Sequence, residues 1–77
     1  MGSDFALRGR PEPLLLSPAE LEVLLFVSHG LSVRDIARAR VVELSTVRGQ
    51  TKAIRRKLAA KNMAQAVAIG MRHGLIR

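Results

Sequence analysis

The sequence predicts an all-α fold of four short helices, and three observations lead to that prediction. Apolar residues recur at helical spacing in four separate stretches. Three of these stretches begin with a Ser or Asn in a capping position, and two are followed by a glycine placed to end a helix. No segment alternates convincingly between polar and apolar residues as a surface strand does. With 77 residues and no cysteine, the chain has room for one domain held together by packing.

Residues 1–15 contain two glycines and two prolines and have no helical period, which is typical of a flexible arm or linker. The opening Met1-Gly2-Ser3 has the composition of a cloning remnant. The folded domain is therefore expected over residues 16–77.

The first helix is predicted to run from Pro18 to about Ser28. Ser17 is a good N-cap, Pro18 suits the first helical position, and Glu20 occupies the acidic position of a capping box. Gly30 is placed to end the helix in a left-handed conformation. Helical spacing assigns the apolar side of this helix to Leu21, Leu24, Leu25 and Val27 or Ser28.

A second capping box, formed by Ser32 and Asp35, predicts a short helix from Val33 to about Ala39 or Arg40. A turn over residues 40–43 separates it from a third helix predicted over about residues 45–59. Positions i, i+4, i+7 and i+11 of the third helix form one apolar stripe that we expect to be buried: Val47, Thr51, Ile54 and Leu58.

The fourth helix is predicted from a cap at Asn62 to about His73, where Gly74 ends it. It carries two apolar stripes. One stripe suits packing against the domain and consists of Ala66, Ile69 and Gly70. The other is either a second buried face or a seam between two copies of the chain, and it consists of Met63, Ala64, Val67 and Met71.

The charge is divided unevenly along the chain, whose net charge is +7. Five basic and six acidic residues up to Glu43 leave −1, whereas eight basic residues and no acid from Leu44 onward give +8. A one-sided cationic field favours a polyanionic partner, either nucleic acid or an acidic membrane, over a merely solvated basic surface.

The second and third helices, joined by a short turn, form the pattern of a helix-turn-helix, whose second helix enters the major groove of duplex DNA. At about 100° per residue, four basic residues of the third helix share one arc away from the apolar stripe: Arg48, Lys52, Arg55 and Arg56. Arg48 and Lys52 lie near the helix N-terminus and suit base contacts. Gly49 either allows close backbone approach or is a tolerated weak point. The basic residues nearer the C-terminal end of this helix suit phosphate contacts: Arg55, Arg56 and Lys57.

Between residues 16 and 76 the chain resembles the LuxR-type (GerE-like) DNA-binding domain of bacterial transcription regulators. The resemblance implies a four-helix domain in which the third helix contacts the major groove, and a fourth helix that pairs two copies on a two-fold site. It also implies that Thr46 supports phosphate binding and that Arg48 and Lys52 contact bases. The matching positions are Leu16-Ser17-Pro18-Ala19-Glu20, Val23-Leu24, Gly30-Leu31-Ser32, Ile36-Ala37, Thr46-Val47-Arg48, Ile54, Lys57-Leu58, Asn62 and Ala66.

The sequence departs from this pattern at several positions. The family usually has an apolar residue in place of Arg40, a Ser or Thr cap in place of Glu43, and often His or Asn rather than Gly49 and Gln50. Glu43 is a poor helix cap, so the start of the third helix is the least regular part of the expected fold.

Two other binding functions are compatible with parts of the pattern. A sigma-factor promoter-recognition domain shares the Leu-Ser-Pro-x-Glu start, but the marked fourth helix favours the LuxR type. A basic amphipathic module for anionic membranes or RNA needs large apolar or aromatic side chains near the charge. The only aromatics are Phe5 and Phe26, outside the basic half.

Catalysis and metal binding are not expected from the residues present. His29 and His73 lie on different predicted helices without a cysteine, and the acids form no pair on one face. The sequence therefore predicts a non-enzymatic protein without a cofactor, metal or small-molecule site. With no signal peptide or membrane span in the sequence, we expect a cytoplasmic protein. The resemblance implies a bacterial protein at the nucleoid that contacts duplex DNA and RNA polymerase.

Overall fold

The computed structural model describes residues 16–77, and no strand occurs in that range. The all-α prediction is confirmed. The arm expected over residues 1–15 lies outside the described residues. Residues 16–77 fold into four helices, α1 (Pro18–Ser28), α2 (Val33–Arg40), α3 (Leu44–Lys57) and α4 (Met63–Arg72).

The helix bounds agree closely with those predicted, and the one shift of more than a residue is at the end of α3. That helix begins at Leu44 and stops at Lys57, two residues before the expected end. It stops because Ala59 adopts a left-handed conformation, with φ +54°, that a helix cannot continue through. Gly30 and Gly74 also have positive φ and follow α1 and α4 as predicted.

Side-chain caps explain where three of the helices begin. The Ser17 hydroxyl accepts the amide N–H of Glu20 at 3.1 Å, and Glu20 Oε1 accepts the Ser17 N–H at 2.9 Å. Ser32 and Asp35 form the same reciprocal pair at 3.1 and 3.2 Å. Asn62 Oδ1 accepts the N–H of Gln65 at 2.8 Å. In contrast, α3 begins after Glu43 without a side-chain cap, as expected from its sequence.

The core lies where α1 packs against the other three helices. The predicted stripe of α3 is buried as expected, since Val47, Ile54 and Leu58 are fully enclosed and Thr51 is 7% exposed. The predicted packing stripe of α4 is buried too. The largest fully buried side chains of the core are Leu24, Ile36, Ile54, Leu58, Val23 and Val47.

The buried side of α1 differs from the predicted one. Val23, Leu24 and Glu20 are buried, whereas Leu25 is 39% exposed. The prediction is confirmed for Leu24, and Leu21 and Val27 pack against the core, but it was wrong for Leu25 and omitted Val23. Because α1 is apolar on most of its circumference, its sequence does not mark one face as the interior. Contact with three neighbouring helices decides the orientation.

Gly70 allows α1 and α4 to approach closely. A Cβ at this position would lie 2.9 Å from Leu24 Cδ2 and 3.4 Å from Ile76 Cγ1. Because both neighbours belong to the buried core, a larger residue would force the helices apart. The close packing of α4 on α1 fixes the position of its remaining, outward faces.

Val41, which ends α2, is in an unfavourable conformation. Its φ of +56° and ψ of +51° are left-handed, a region that β-branched residues rarely occupy, and its side chain is 89% exposed. The helix-turn-helix therefore turns through a strained residue that gains little from packing.

We predict that Val41→Asn raises the free energy of unfolding by roughly 0.5–1 kcal/mol, because asparagine tolerates the left-handed region and little apolar burial is lost. Urea denaturation measures this change. Equal or lower stability of the variant would show that Val41 carries no strain.

Candidate nucleic-acid interface

The outward face of α3 is fixed by its buried stripe. Because Val47, Ile54 and Leu58 point into the core, the residues on the opposite side of the helix face solvent. This face, which we call the outer face, combines small and basic side chains. Its exposed members are Ser45, Arg48, Gly49, Lys52 and Arg56.

A shallow depression of about 390 Å³ lies in the middle of the outer face, lined by Gly49, Lys52, Ala53 and Arg56. A Cβ built on Gly49 would have no neighbour within 4 Å, so packing within residues 16–77 does not require glycine there. The glycine costs α3 about 1 kcal/mol relative to alanine. The resulting space lies between two cations, where a base edge or a backbone can approach.

The two flanks of the outer face differ in charge. On one flank, Arg48 is exposed and Arg55 is half-buried. Arg55 Nε is enclosed without a hydrogen-bond partner in the described part of the chain, so only the rest of its guanidinium can reach a bound phosphate. On the other flank lie Thr46, which is exposed, and Gln50, which is half-buried.

The structure places Lys57 in an internal ion pair, although the sequence grouped it with the phosphate contacts. Its Nζ lies 2.8 Å from Glu20 Oε1, and the two side chains are 23% and 11% exposed. The pair joins the last turn of α3 to the first turn of α1. Lys57 therefore stabilises the fold by joining α3 to α1.

The environment of Glu20 favours its ionised form. Burial opposes ionisation, but hydrogen bonds from the Lys57 ammonium and the Ser17 backbone, with the Lys57 charge, outweigh it and lower the pKa of Glu20. The same carboxylate thus caps α1 and holds α3. The available sequence signal was an acid at a capping position together with a lysine at the end of a helix.

Exposed basic residues on α2 were not among the predicted contacts. Arg34 and Arg38 lie one turn apart and are both exposed. They line a shallow depression of about 730 Å³ that extends to the turn and the start of α3. These two arginines were overlooked because acidic residues bring the net charge of residues 1–43 close to zero. One of those acids is Asp35, whose bonds with the Ser32 backbone and hydroxyl lower its pKa.

The structure divides the four predicted dimerisation residues on α4 into two pairs. Met63 and Val67 are half-buried and pack at the margin of the core, whereas Ala64 and Met71 are exposed. Met71 is 50% exposed, which is high for a large apolar side chain. An apolar strip is therefore open to solvent on the side of α4 that does not contact α1.

Membrane-spanning helices and metal-binding clusters are both absent from residues 16–77. No helix in this range is long and apolar enough to cross a membrane. In the same range, no three His, Cys, Asp or Glu residues are grouped so that they could hold a metal ion.

Comparison with known proteins identifies the family. The model of the LuxR family of bacterial regulatory proteins matches residues 14–69, more than half of the chain. Curated relatives include the response regulator protein VraR of Staphylococcus aureus, Staphylococcus saprophyticus and Staphylococcus epidermidis, each 33% identical over 63 residues. The match covers 82% of this chain and 30% of each relative. The chain thus spans about a third of these relatives' length, and it belongs to the LuxR family of bacterial regulatory proteins.

Proposed function

We propose that this DNA-binding domain of transcription regulation inserts α3 into the major groove, with its outer face towards the bases. The observation that supports the proposal is the opposition of two surfaces on one helix. Val47, Ile54 and Leu58 are fully buried, and Arg48, Lys52 and Arg56 are exposed. A helix held in this way presents a fixed row of hydrogen-bond donors to a groove that is wide enough to receive it.

Within this proposal the residues of α3 have different tasks. Arg48 and Lys52, near the N-terminal half of the helix, donate hydrogen bonds to base edges. Gly49 allows α3 to approach the groove closely. The remaining contacts hold the phosphates of the backbone and consist of Thr46, Arg55 and Arg56.

Duplex DNA fits this surface better than single strands or membranes. Single-stranded nucleic acid is bound largely by stacking on aromatic rings, and the one aromatic residue in the described range, Phe26, packs against the core. A membrane-binding helix needs exposed apolar side chains opposite its charges, but that side of α3 is the core.

Fluorescence anisotropy with three probes tests the proposed ligand class: genomic duplex fragments, the corresponding single strands, and vesicles containing anionic lipid. We expect the duplex to bind most tightly, with an affinity that falls steeply as salt increases. Tighter binding to single strands or vesicles would contradict the proposal.

We further propose that two copies bind a two-fold site through the apolar strip of α4. Exposed Met71 and Ala64, beside half-buried Met63 and Val67, support this proposal. One short helix buries too little area for a stable dimer by itself, so the pairing depends on DNA.

Val67→Glu is expected to abolish cooperative binding to a palindromic duplex, because a carboxylate would be placed in the apolar seam. Binding to an isolated half-site should change much less. Gln65→Glu, which adds the same charge at an exposed position on another face of α4, serves as the control. Undiminished cooperativity of the Val67 variant would exclude this strip as the seam.

The Staphylococcus relatives are named response regulators, and the proposal covers only the 30% of their length that this chain matches. Contact with RNA polymerase and a location at the bacterial nucleoid follow from action on transcription and belong to the proposal. We also propose that residues 16–77 form the DNA-binding unit, with residues 1–15 acting as an arm or linker.

A further inference from the structure

Arg40 connects three helices through its guanidinium. Its Nε–H donates to Glu22 Oε1 at 2.9 Å, and its Nη1–H donates to Gln50 Oε1 at 2.9 Å. The Arg40 side chain is only 17% exposed, while that of Glu22 is 53% exposed. The end of α2 is thereby fixed to both α1 and α3, and its partner on α3 belongs to the helix that we place in the major groove.

This contact determines which part of the Gln50 amide remains available. Because the carbonyl oxygen accepts from Arg40, the NH₂ group occupies the other branch of the amide, and its N–H groups remain able to donate to a ligand. Within residues 16–77 the Gln50 nitrogen has no hydrogen-bond partner, and it is not among the enclosed unsatisfied atoms. Gln50 therefore presents an oriented, solvent-accessible donor.

The donor lies on the flank of α3 whose own basic residue, Lys57, is paired with Glu20. Gln50 follows Thr46 by one helical turn, so the two side chains share that flank. Arg40, which contacts Gln50, is itself paired with Glu22. The opposite flank carries Arg48 and Arg55. A helix in the major groove has a phosphate backbone on each side, so one backbone meets arginines and the other meets neutral donors.

We propose that Gln50 donates a hydrogen bond to a DNA phosphate and that Arg40 is the positioning residue that orients it. The inference rests on the proposed function, because it assumes that α3 lies in the groove. It adds a contact that carries no charge. Such a contact raises affinity without releasing a counterion, so it does not contribute to the salt dependence of binding.

The test is a set of salt titrations on one duplex, measured by anisotropy. Gln50→Ala should weaken binding about tenfold, as for a hydrogen bond to a charged group, and leave the slope of log affinity against log salt unchanged. The double variant Arg40→Leu/Glu22→Gln removes the ion pair without altering net charge. It should weaken binding by no more than Gln50→Ala does, and adding it to Gln50→Ala should cause no further loss.

Gln50→Glu provides a variant that keeps its fold, because a carboxylate still accepts from Arg40 while the donor is lost. It should weaken binding more than Gln65→Glu, which adds the same charge on α4. The inference would be overturned if Gln50→Ala bound the duplex as tightly as the unaltered chain, or if Gln50→Glu and Gln65→Glu lost equal affinity. It would also be overturned if the losses of Gln50→Ala and Arg40→Leu/Glu22→Gln added up when the two were combined. A slope of log affinity against log salt that falls by about one unit in Arg40→Leu/Glu22→Gln would overturn it too, because Arg40 would then neutralise a phosphate itself. Failure of the unaltered chain to bind duplex would instead reject the proposed function.

Discussion

Replacing Arg48 by alanine is expected to weaken binding to the cognate duplex by about 1–3 kcal/mol and to relax the preference at one base position. Arg48 is exposed near the start of α3, where its guanidinium can donate two hydrogen bonds to guanine O6 and N7. Loss of these two hydrogen bonds removes a contact that only a base pair with guanine at this position can make. Titration of the variant with cognate duplex and with single-base substitutions of it measures both effects.

Arg56→Ala is the matched control, because it removes the same charge from an exposed position two turns later on α3. It should weaken all duplexes about equally and lower the slope of log affinity against log salt by about one unit. If Arg48→Ala instead lowers the affinity for cognate and scrambled duplexes equally, Arg48 contacts a phosphate and the assignment of the base-contacting residues is wrong.

Glu20→Gln is expected to lower the free energy of unfolding by about 2 kcal/mol. Glutamine retains an oxygen that can accept the Ser17 N–H, so the cap geometry survives and the change removes mainly the charge opposite Lys57. Breaking a fully buried ion pair costs about 3–5 kcal/mol, and the partial exposure of Lys57 reduces that figure here. Glu22→Gln, which breaks the more exposed pair with Arg40, should cost less than about 1 kcal/mol.

The pH dependence of unfolding provides a second measurement on the same variant. The pKa of Glu20 is lowered by folding, so its stabilisation is present above the pKa of the unfolded glutamate. It is lost as pH falls through the lower pKa of the folded state. The stability difference between the unaltered chain and Glu20→Gln should therefore shrink on acidification. A difference that stays constant from neutral to acid pH would show that the Glu20 charge is not the stabilising feature.

Local signals predicted most of the fold. Ser17, Ser32 and Asn62 each act within three residues of their own position, so their capping roles are visible in the sequence alone. The stripe of α3 was equally clear because polar residues cover the rest of that helix. The exact orientation of α1 was not predictable in this way, since apolar residues surround most of it and only the packing of neighbouring helices buries Val23 rather than Leu25.

The parts of the site that sequence reasoning missed depend on residues far apart in the chain. Lys57 pairs with Glu20 across 37 positions, and Arg40 reaches Glu22 across 18 and Gln50 across 10. Contacts across such long separations in the chain leave no local pattern in the sequence. The sequence therefore indicated which residues of α3 are basic, but the structure was needed to separate the cations available to DNA from those engaged internally.

Selection of bound sequences from a pool of random duplex DNA tests the central claim most directly. If α3 contacts base edges and α4 pairs two copies, the unaltered chain should enrich one motif made of two half-sites related by a two-fold axis. The half-sites should be separated by about one helical turn or a multiple of it. Arg48→Ala should enrich the same motif with one base position degenerate. Recovery of unrelated sequences without a shared motif would contradict the account, because the basic face of α3 would then bind DNA only through its charge.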